Sequence, residues 1–399
     1  MKYQDIEFEP FFTWSHRTRI MYSPGIRSEV GYEMSQIGGT KAVIITDKGL
    51  VGAGVAAKVA EAVESSSKLE LVGIFDDIVQ DARMEKINKG AAFYREKGAD
   101  CMIVVGGGSV MDTAKAINIL ICEGADDFKP FADQLGLYED AKLLPPQIVF
   151  PTTSGTGSEV TTAMVVLDEE THTKMAVAHP NCPADIAMLD PELVVGLPGP
   201  MTAATGMDAL THAIEGVTST TRNPLSDALG YHAIRLISKY LAQTVKEPGN
   251  IEARGNMMLA STLAGMCFIN SFVGGVHAMA HALGGLYGVP HGLGNGIMLP
   301  VVMEYNCETE PERFSMTADA MGINIEGKTS AEIAKDLIQA VKDLKTEIGI
   351  TQTLKDLKIP STKEKLDELV ELAYADSQLP YNSRELEEED LFTLFQKAM

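Results

Sequence analysis

Between residues 41 and 116 the chain alternates, three times over, a short apolar or β-branched run with a helical stretch, and this alternation narrows the fold more than any other feature. Residues 42–46 (AVIIT) read as a buried strand, 55–65 as a helix, 69–75 as a second strand, 84–97 as a second helix and 101–105 as a third strand. Strands that take turns with helices pair in parallel through right-handed crossovers, which predicts a doubly wound α/β domain. Upstream, FFTWSHRTRIMYSP reads as an edge strand or hairpin closed by a Pro24-Gly25 turn. Residues 163–190 read as a β insertion of two arms around the polar turn EETHT, followed by a strand at 184–189, with His172 and His179 at the surface. The Pro-rich stretch 191–200 marks a boundary between domains 1–195 and 196–399. Beyond it the pattern turns helical, with helices expected near 201–218, 224–242, 250–268, 276–285, 293–304, 308–320, 330–347, 362–376 and 386–397. The acid run at 385–390 reads as a solvated helix face.

A formal charge of −22 repels phosphodiester backbones and anionic lipid surfaces, so neither nucleic acid nor a membrane is an expected partner. No apolar run is long enough to cross a bilayer, and the first residues lack the basic-then-apolar order of a secretory signal, so a cytoplasmic location is expected. Five scattered cysteines without a C-x-x-C pair read as reduced thiols.

The third strand runs straight into Gly106-Gly107-Gly108-Ser109 at the head of a helix. Glycines there let a ligand approach the backbone, and a helix start offers free N–H groups to a phosphate, although the spacing is not that of G-x-G-x-x-G. A second loop rich in glycine and hydroxyls, PTTSGTGSEVT from Pro151, follows another strand. It can hold phosphate, ribose or amide groups, or simply cap the next helix. Asp47 ends the first strand, where a carboxylate can accept from a ribose diol and would repel a 2′-phosphate, favouring NAD over NADP; a plain helix cap is the alternative. Lys174 opens the second arm of the insertion, within reach of a cofactor ribose or as a solvated strand end.

Chemistry concentrates in VHAMAHALGGLYGVPHGLGNGIMLP, which holds His277, His281 and His291, three of eight histidines, and no charged residue. His277 and His281 lie four apart, on one face of a helix, and His291 follows a G-V-P break that lets it arrive from a second element. Upstream, GMDALTHAIE places Asp208 and His212 four apart as well. One carboxylate with two or three imidazoles suits zinc or ferrous iron, not the all-oxygen shells of calcium or magnesium. A lone core histidine would need no such company.

GGGSVMDTAKA, PTTSGTGSEVT, GMDALTHAIE and the histidine stretch, in this order and with Asp47, Lys174 and LDPEL in place, together resemble the iron-dependent (group III) alcohol dehydrogenases. The resemblance implies a dehydroquinate synthase-like architecture: an N-terminal dinucleotide-binding α/β domain and an all-α C-terminal domain, with NAD and one divalent metal, iron ahead of zinc, in the cleft between them. It further implies that Asp208, His212, His277 and His291 are the metal ligands, with His281 beside the metal as a proton relay and not a ligand. Gly107, Gly108 and Ser109 would hold the pyrophosphate, Thr152, Thr153 and Thr156 the cofactor's other side, and Lys174 its ribose. The implied reaction is hydride transfer between NAD(H) and a small primary alcohol or aldehyde by a homodimer or higher homo-oligomer. Phe268, Phe272 and Tyr287 are candidate pocket residues. A cyclase or lyase of the dehydroquinate synthase type would need cations around a phosphorylated substrate, and residues 270–300 contain no Lys or Arg. A non-catalytic assembly protein would have no use for the cofactor loops.

Overall fold

A computed structural model of the chain describes residues 11–132, 141–169, 173–309 and 311–399. It divides into two compact units, His16–Leu197 and Pro198–Met399, the second also taking in the stretch that ends at Ser15. The Ser15 N–H donates to Asn270 Oδ1 at 3.0 Å.

The first unit contains strands β1 (Arg19–Tyr22), β2 (Lys41–Asp47), β3 (Glu70–Ile78), β4 (Ala82–Arg83), β5 (Cys101–Gly106), β6 (Gln147–Pro151), β7 (Ala163–Asp168), β8 (Thr173–Ala178) and β9 (Ile186–Leu189). Six of them form a sheet in the order β1-β9-β6-β5-β2-β3, and every pairing within it is parallel. Side chains of its central strands alternate between two buried clusters. Val43, Ile45, Met102 and Val104 face one, which the Met84–Glu96 and Gly108–Glu123 helices cover. Ala42, Ile44, Ile103 and Val105 face the other, covered by Val30–Gln36 and Val55–Glu64. Helices on both faces explain why these strands read as continuous apolar runs.

The expected β insertion is a separate sheet of order β4-β7-β8, whose β7–β8 pair is an antiparallel hairpin, while β9 returns to the main sheet between β1 and β6. His172 lies outside the described residues. His179 is not at the surface: it is buried, and its Nδ1 accepts from the Asn181 N–H at 3.1 Å, so it closes the turn that leads into β9.

The order of the main sheet decides where a ligand could sit. From β2 the chain moves outward to β3, then crosses back to β5 on the other side of β2 and continues to β6. The loops leaving the carboxyl ends of β2 and β5 therefore border the point where the winding reverses, the place where open α/β sheets bind nucleotides.

Long helices built around one core make up the second unit, among them Gly199–Thr218, Pro224–Lys246, Ile251–Phe268, Gly275–Tyr287 and His291–Thr309. Caps set their starts: Asn223 accepts from the Leu225 and Ser226 N–H groups with Pro224 behind it, and Thr329 forms a capping box with Glu332 ahead of Ser330–Glu347. The helix expected at 293–304 runs further, His291–Thr309, with Pro300 inside it. The one expected at 308–320 is instead a 3-10 turn, Pro311–Phe314, and the short helix Ser315–Ala320, because Pro311 has no N–H with which to continue the preceding ladder. No helix among the described residues is long and apolar enough to cross a membrane.

Candidate active site

In the second unit, Asp208 and His212 sit one turn apart on Gly199–Thr218, and His277 lies in the first turn of Gly275–Tyr287. His291 opens the next helix, which can reach Asp208 because Gly292 carries no side chain: a Cβ there would stand 2.3 Å from the Ala204 carbonyl oxygen. One donor atom from each of Asp208, His212, His277 and His291 lies within 4.8 Å of the others. Asp208 Oδ1 is 3.9 Å from His212 Nδ1, 3.8 Å from His277 Nε2 and 3.4 Å from His291 Nε2. Asp208, His212 and His277 are buried, and His291 is partly exposed.

A cation suits this cluster better than the hydrogen bonds it makes. The Asn295 Nδ2 amide donates to Asp208 Oδ1 at 2.7 Å and stands 3.2 Å from both His277 Nε2 and His291 Nε2, so three acceptors converge on a nitrogen with two hydrogens. Asn295 Oδ1 is buried without a hydrogen-bond partner. Three imidazole nitrogens and one carboxylate oxygen match the donor preferences of iron(II) and zinc(II).

Glu215, one turn beyond His212 on the same helix, received no role from the sequence. Its Oε2 accepts from His277 Nδ1–H at 2.5 Å and its Oε1 from the Val276 N–H at 2.8 Å. With the proton held on Nδ1, the Nε2 lone pair of His277 faces the cluster. Burial lifts the Glu215 carboxyl to about 8, against the N–H bonds from Val276, Gly274 and His277. Burial, and then the neighbouring His212, His291 and His281, holds the His277 imidazole well below its ordinary range, so it is neutral and able to ligate. The spacing of Asp208, His212 and Glu215, at i, i+4 and i+7, was the available signal for this residue.

His281 shares the face of His277 but turns away from the cluster. Its Nδ1–H donates to Asp376 Oδ2 at 2.8 Å, its ring stacks on His291 with centroids 5.3 Å apart, and it is partly exposed. Burial alone would raise the Asp376 carboxyl; the bond and charge of His281 and the Gln378 N–H outweigh it and hold Asp376 below the usual carboxylate range. Asp376 arrives from the chain segment after Lys363–Tyr374, a contact that sequence spacing cannot reveal. Of the candidate pocket residues, Phe268 stacks on His212 at 4.2 Å, Phe272 stacks on Tyr381 at 4.3 Å, and Tyr287 packs against the core.

In the first unit the two glycine loops lie side by side at the sheet's carboxyl edge. The Thr152 N–H donates to the Gly106 carbonyl at 3.0 Å, and a Cβ at Gly108 would stand 2.8 Å from the Thr156 methyl. Gly107 faces the Thr153 side chain in the same way. The long helix begins at Gly108 without a side-chain cap, leaving backbone N–H groups at its start to meet an anion. Ser109 Oγ accepts from the Asp81 N–H at 3.1 Å, and Thr156 Oγ1 accepts from the Ser158 N–H at 3.2 Å. Asp47 Oδ1 accepts from the Leu50 N–H at 2.9 Å and so caps Lys48–Gly52. Lys174 lies in β8, and its side chain is outside the described residues.

A buried network that sequence left unassigned ties the loops together. Lys115 Nζ donates to Ser158 Oγ (2.8 Å), Thr161 Oγ1 (3.1 Å) and the Ala163 carbonyl (2.8 Å). Ser158 Oγ in turn donates to Asp112 Oδ1 at 2.7 Å. Asp112 and Lys115 come from the helix after the first loop, and Ser158 and Thr161 from the second loop.

Residues 17–191 match the iron-containing alcohol dehydrogenase family, and residues 202–399 match the C-terminal part of the Fe-containing alcohol dehydrogenase family. The 1,3-propanediol dehydrogenase of Klebsiella pneumoniae is 38% identical over 379 residues, 94% of this chain and 96% of that one. The NAD-dependent methanol dehydrogenase of Bacillus methanolicus is 33% identical over 375 residues, 94% of this chain and 96% of that one. A crystal structure of a 1,3-propanediol oxidoreductase superposes with a TM-score of 0.92 at 37% identity, covering 98% of this chain and all (100%) of that one. A parallel α/β unit, a helical unit and these matches agree: the chain belongs to the iron-containing alcohol dehydrogenases, with their dehydroquinate synthase-like fold.

Proposed function

We propose that this alcohol dehydrogenase transfers hydride reversibly between NAD(H) and a small primary alcohol or its aldehyde, with one divalent metal, iron ahead of zinc, held by Asp208, His212, His277 and His291. The observation that carries this reading is the convergence of four donor atoms within 4.8 Å, three of them on buried residues. Relatives that act on 1,3-propanediol and methanol support a small alcohol. Nitrogen and oxygen donors accept iron or zinc, and availability decides loading.

A bound divalent ion supplies Lewis acidity toward the substrate oxygen, and a bound nicotinamide supplies the hydride acceptor or donor. The rest falls to the chain. Asp208 gives the ligand set one negative charge, Glu215 fixes the ring of His277, and both are buried away from bulk water. His281, oriented by Asp376 and partly open to solvent, carries the alcohol proton outward from its Nε2 side or returns it. The Gly107–Gly108–Ser109 turn offers N–H groups to the pyrophosphate, Thr152, Thr153 and Thr156 line the cofactor's other side, and Asp47 and Lys174 meet its ribose. The chain acts in the cytoplasm, where its free cysteines stay reduced, and it works as a homodimer or higher homo-oligomer.

Asp208→Ala and His277→Ala test the ligand set. Each should lose bound metal and NADH-dependent aldehyde reduction together while circular dichroism stays that of the parent. Full activity in a metal-free His277→Ala protein would sink the assignment.

A further inference from the structure

The segment between Ile251–Phe268 and the histidine helix contains a backbone conformation that its residue does not favour. Phe272 has φ +60°, where the Cβ of a bulky L residue crowds the backbone. Its surroundings impose it. The Phe272 N–H donates to the Phe268 carbonyl at 2.6 Å, the Ser271 carbonyl accepts from Thr221 Oγ1 at 2.7 Å, and the Gly275 N–H donates to Asn382 Oδ1 at 3.2 Å. Strain held this firmly tends to serve a site.

The geometry aims the Phe272 ring outward. It is 39% exposed and belongs to no core cluster among the described residues, yet it stacks on Tyr381 with centroids 4.3 Å apart and planes 20° apart. Tyr381 is itself fixed, its carbonyl accepting from the Thr220 N–H at 3.0 Å. Both partners sit on segments that build the candidate site. Phe272 follows Phe268, whose ring lies against His212 at 4.2 Å and continues into the His212–His277 stack at 4.5 Å. Tyr381 follows Asp376, which holds His281, and precedes Asn382, which holds the start of the histidine helix.

A partly exposed aromatic stack with no core duty, fixed by strain on segments that also carry candidate-site residues, is suited to touching the apolar part of a ligand. We infer that Phe272 and Tyr381 together form a specificity wall that receives the carbon chain of the alcohol or aldehyde and limits its length. The inference rests on the alcohol dehydrogenase reading for its substrate class. Unbranched aliphatic primary alcohols and aldehydes of short chain fit such a wall. Longer chains meet the face of the stack.

Phe272→Gly, Tyr381→Ala and the double variant test the wall with propanal and hexanal at saturating NADH. Glycine tolerates the left-handed backbone, so Phe272→Gly should fold with a thermal midpoint no lower than that of Phe272→Ala. Each single variant should raise the hexanal-to-propanal ratio of kcat/KM by about tenfold, and the double variant by no more than the larger single effect, because the rings act as a unit. An unchanged ratio, or an equal fall for both aldehydes, overturns the inference. Saturation-transfer NMR with propanol and hexanol reads chain-length preference without turnover, and the variants should gain hexanol signal relative to propanol. If the parent protein reduces neither aldehyde, the dehydrogenase reading fails by itself. The alcohol signals then still decide the wall, and an unchanged hexanol-to-propanol ratio overturns it.

Discussion

Removing one acceptor oxygen of Glu215 without changing its shape isolates its effect on metal binding. Glu215 accepts two hydrogen bonds in a buried place, from His277 Nδ1–H at 2.5 Å and from the Val276 N–H at 2.8 Å. A glutamine has one acceptor oxygen, so Glu215→Gln must turn an NH2 group toward one of these donors. If the oxygen stays with Val276, His277 has to move its proton to Nε2, and the lone pair that faces Asp208 is lost. If the oxygen stays with His277, a buried N–H at the head of the histidine helix loses its partner. Either way one of the two buried bonds is lost or inverted, a cost of about 2–3 kcal/mol with the tautomer change included. At 1.4 kcal/mol for each factor of ten, metal affinity should fall by about 30- to 140-fold, near the upper end of the effects usual for partners of metal-bound histidines. Competition between the protein and a chromophoric chelator for zinc, with far-UV circular dichroism as the fold control, measures it. A folded Glu215→Gln protein whose zinc affinity stays within about threefold of the parent would refute the reasoning, since His277 would then not depend on the carboxylate for its tautomer.

Three further outcomes follow from the same geometry. His281→Ala should keep its metal, slow turnover by about a hundredfold or more and change the pH dependence of kcat; loss of metal would instead make His281 a ligand. Lys115→Met removes three hydrogen bonds of a buried ammonium and should cost about 3–5 kcal/mol, or roughly 10 °C in thermal midpoint, seen by scanning calorimetry. Asp47→Ser keeps a capping oxygen for the Leu50 N–H but removes the charge, so kcat/KM with NADPH should rise about tenfold while stability holds; no change in cofactor preference would leave the carboxylate as a cap alone.

Local features were legible because they depend on neighbours along the chain. The alternation that begins at Lys41 gave the parallel sheet. Continuous apolar strands marked a sheet covered on both faces, and the spacings of Asp208 with His212 and of His277 with His281 placed each pair on one helical face. His179 shows the limit: its position at a strand exit suggests exposure, yet the chain folds over it and Asn181 uses its ring nitrogen.

Residue types, helical phase and the order of the glycine loops were settled by the amino-acid string itself, because 3.6-residue and two-residue periodicities act over a few positions. Packing between distant segments decided the rest. His281 turns to Asp376 while His277 turns to Glu215, although the two histidines share one face. Asn295 stands among the donors, and Gly292 lets one helix backbone touch another so that His291 comes within 3.4 Å of Asp208. Phe272 takes a strained φ because contacts from Asn382 and Thr221 hold the segment around it. Such choices turn on which side chains meet in three dimensions, and no local spacing encodes them.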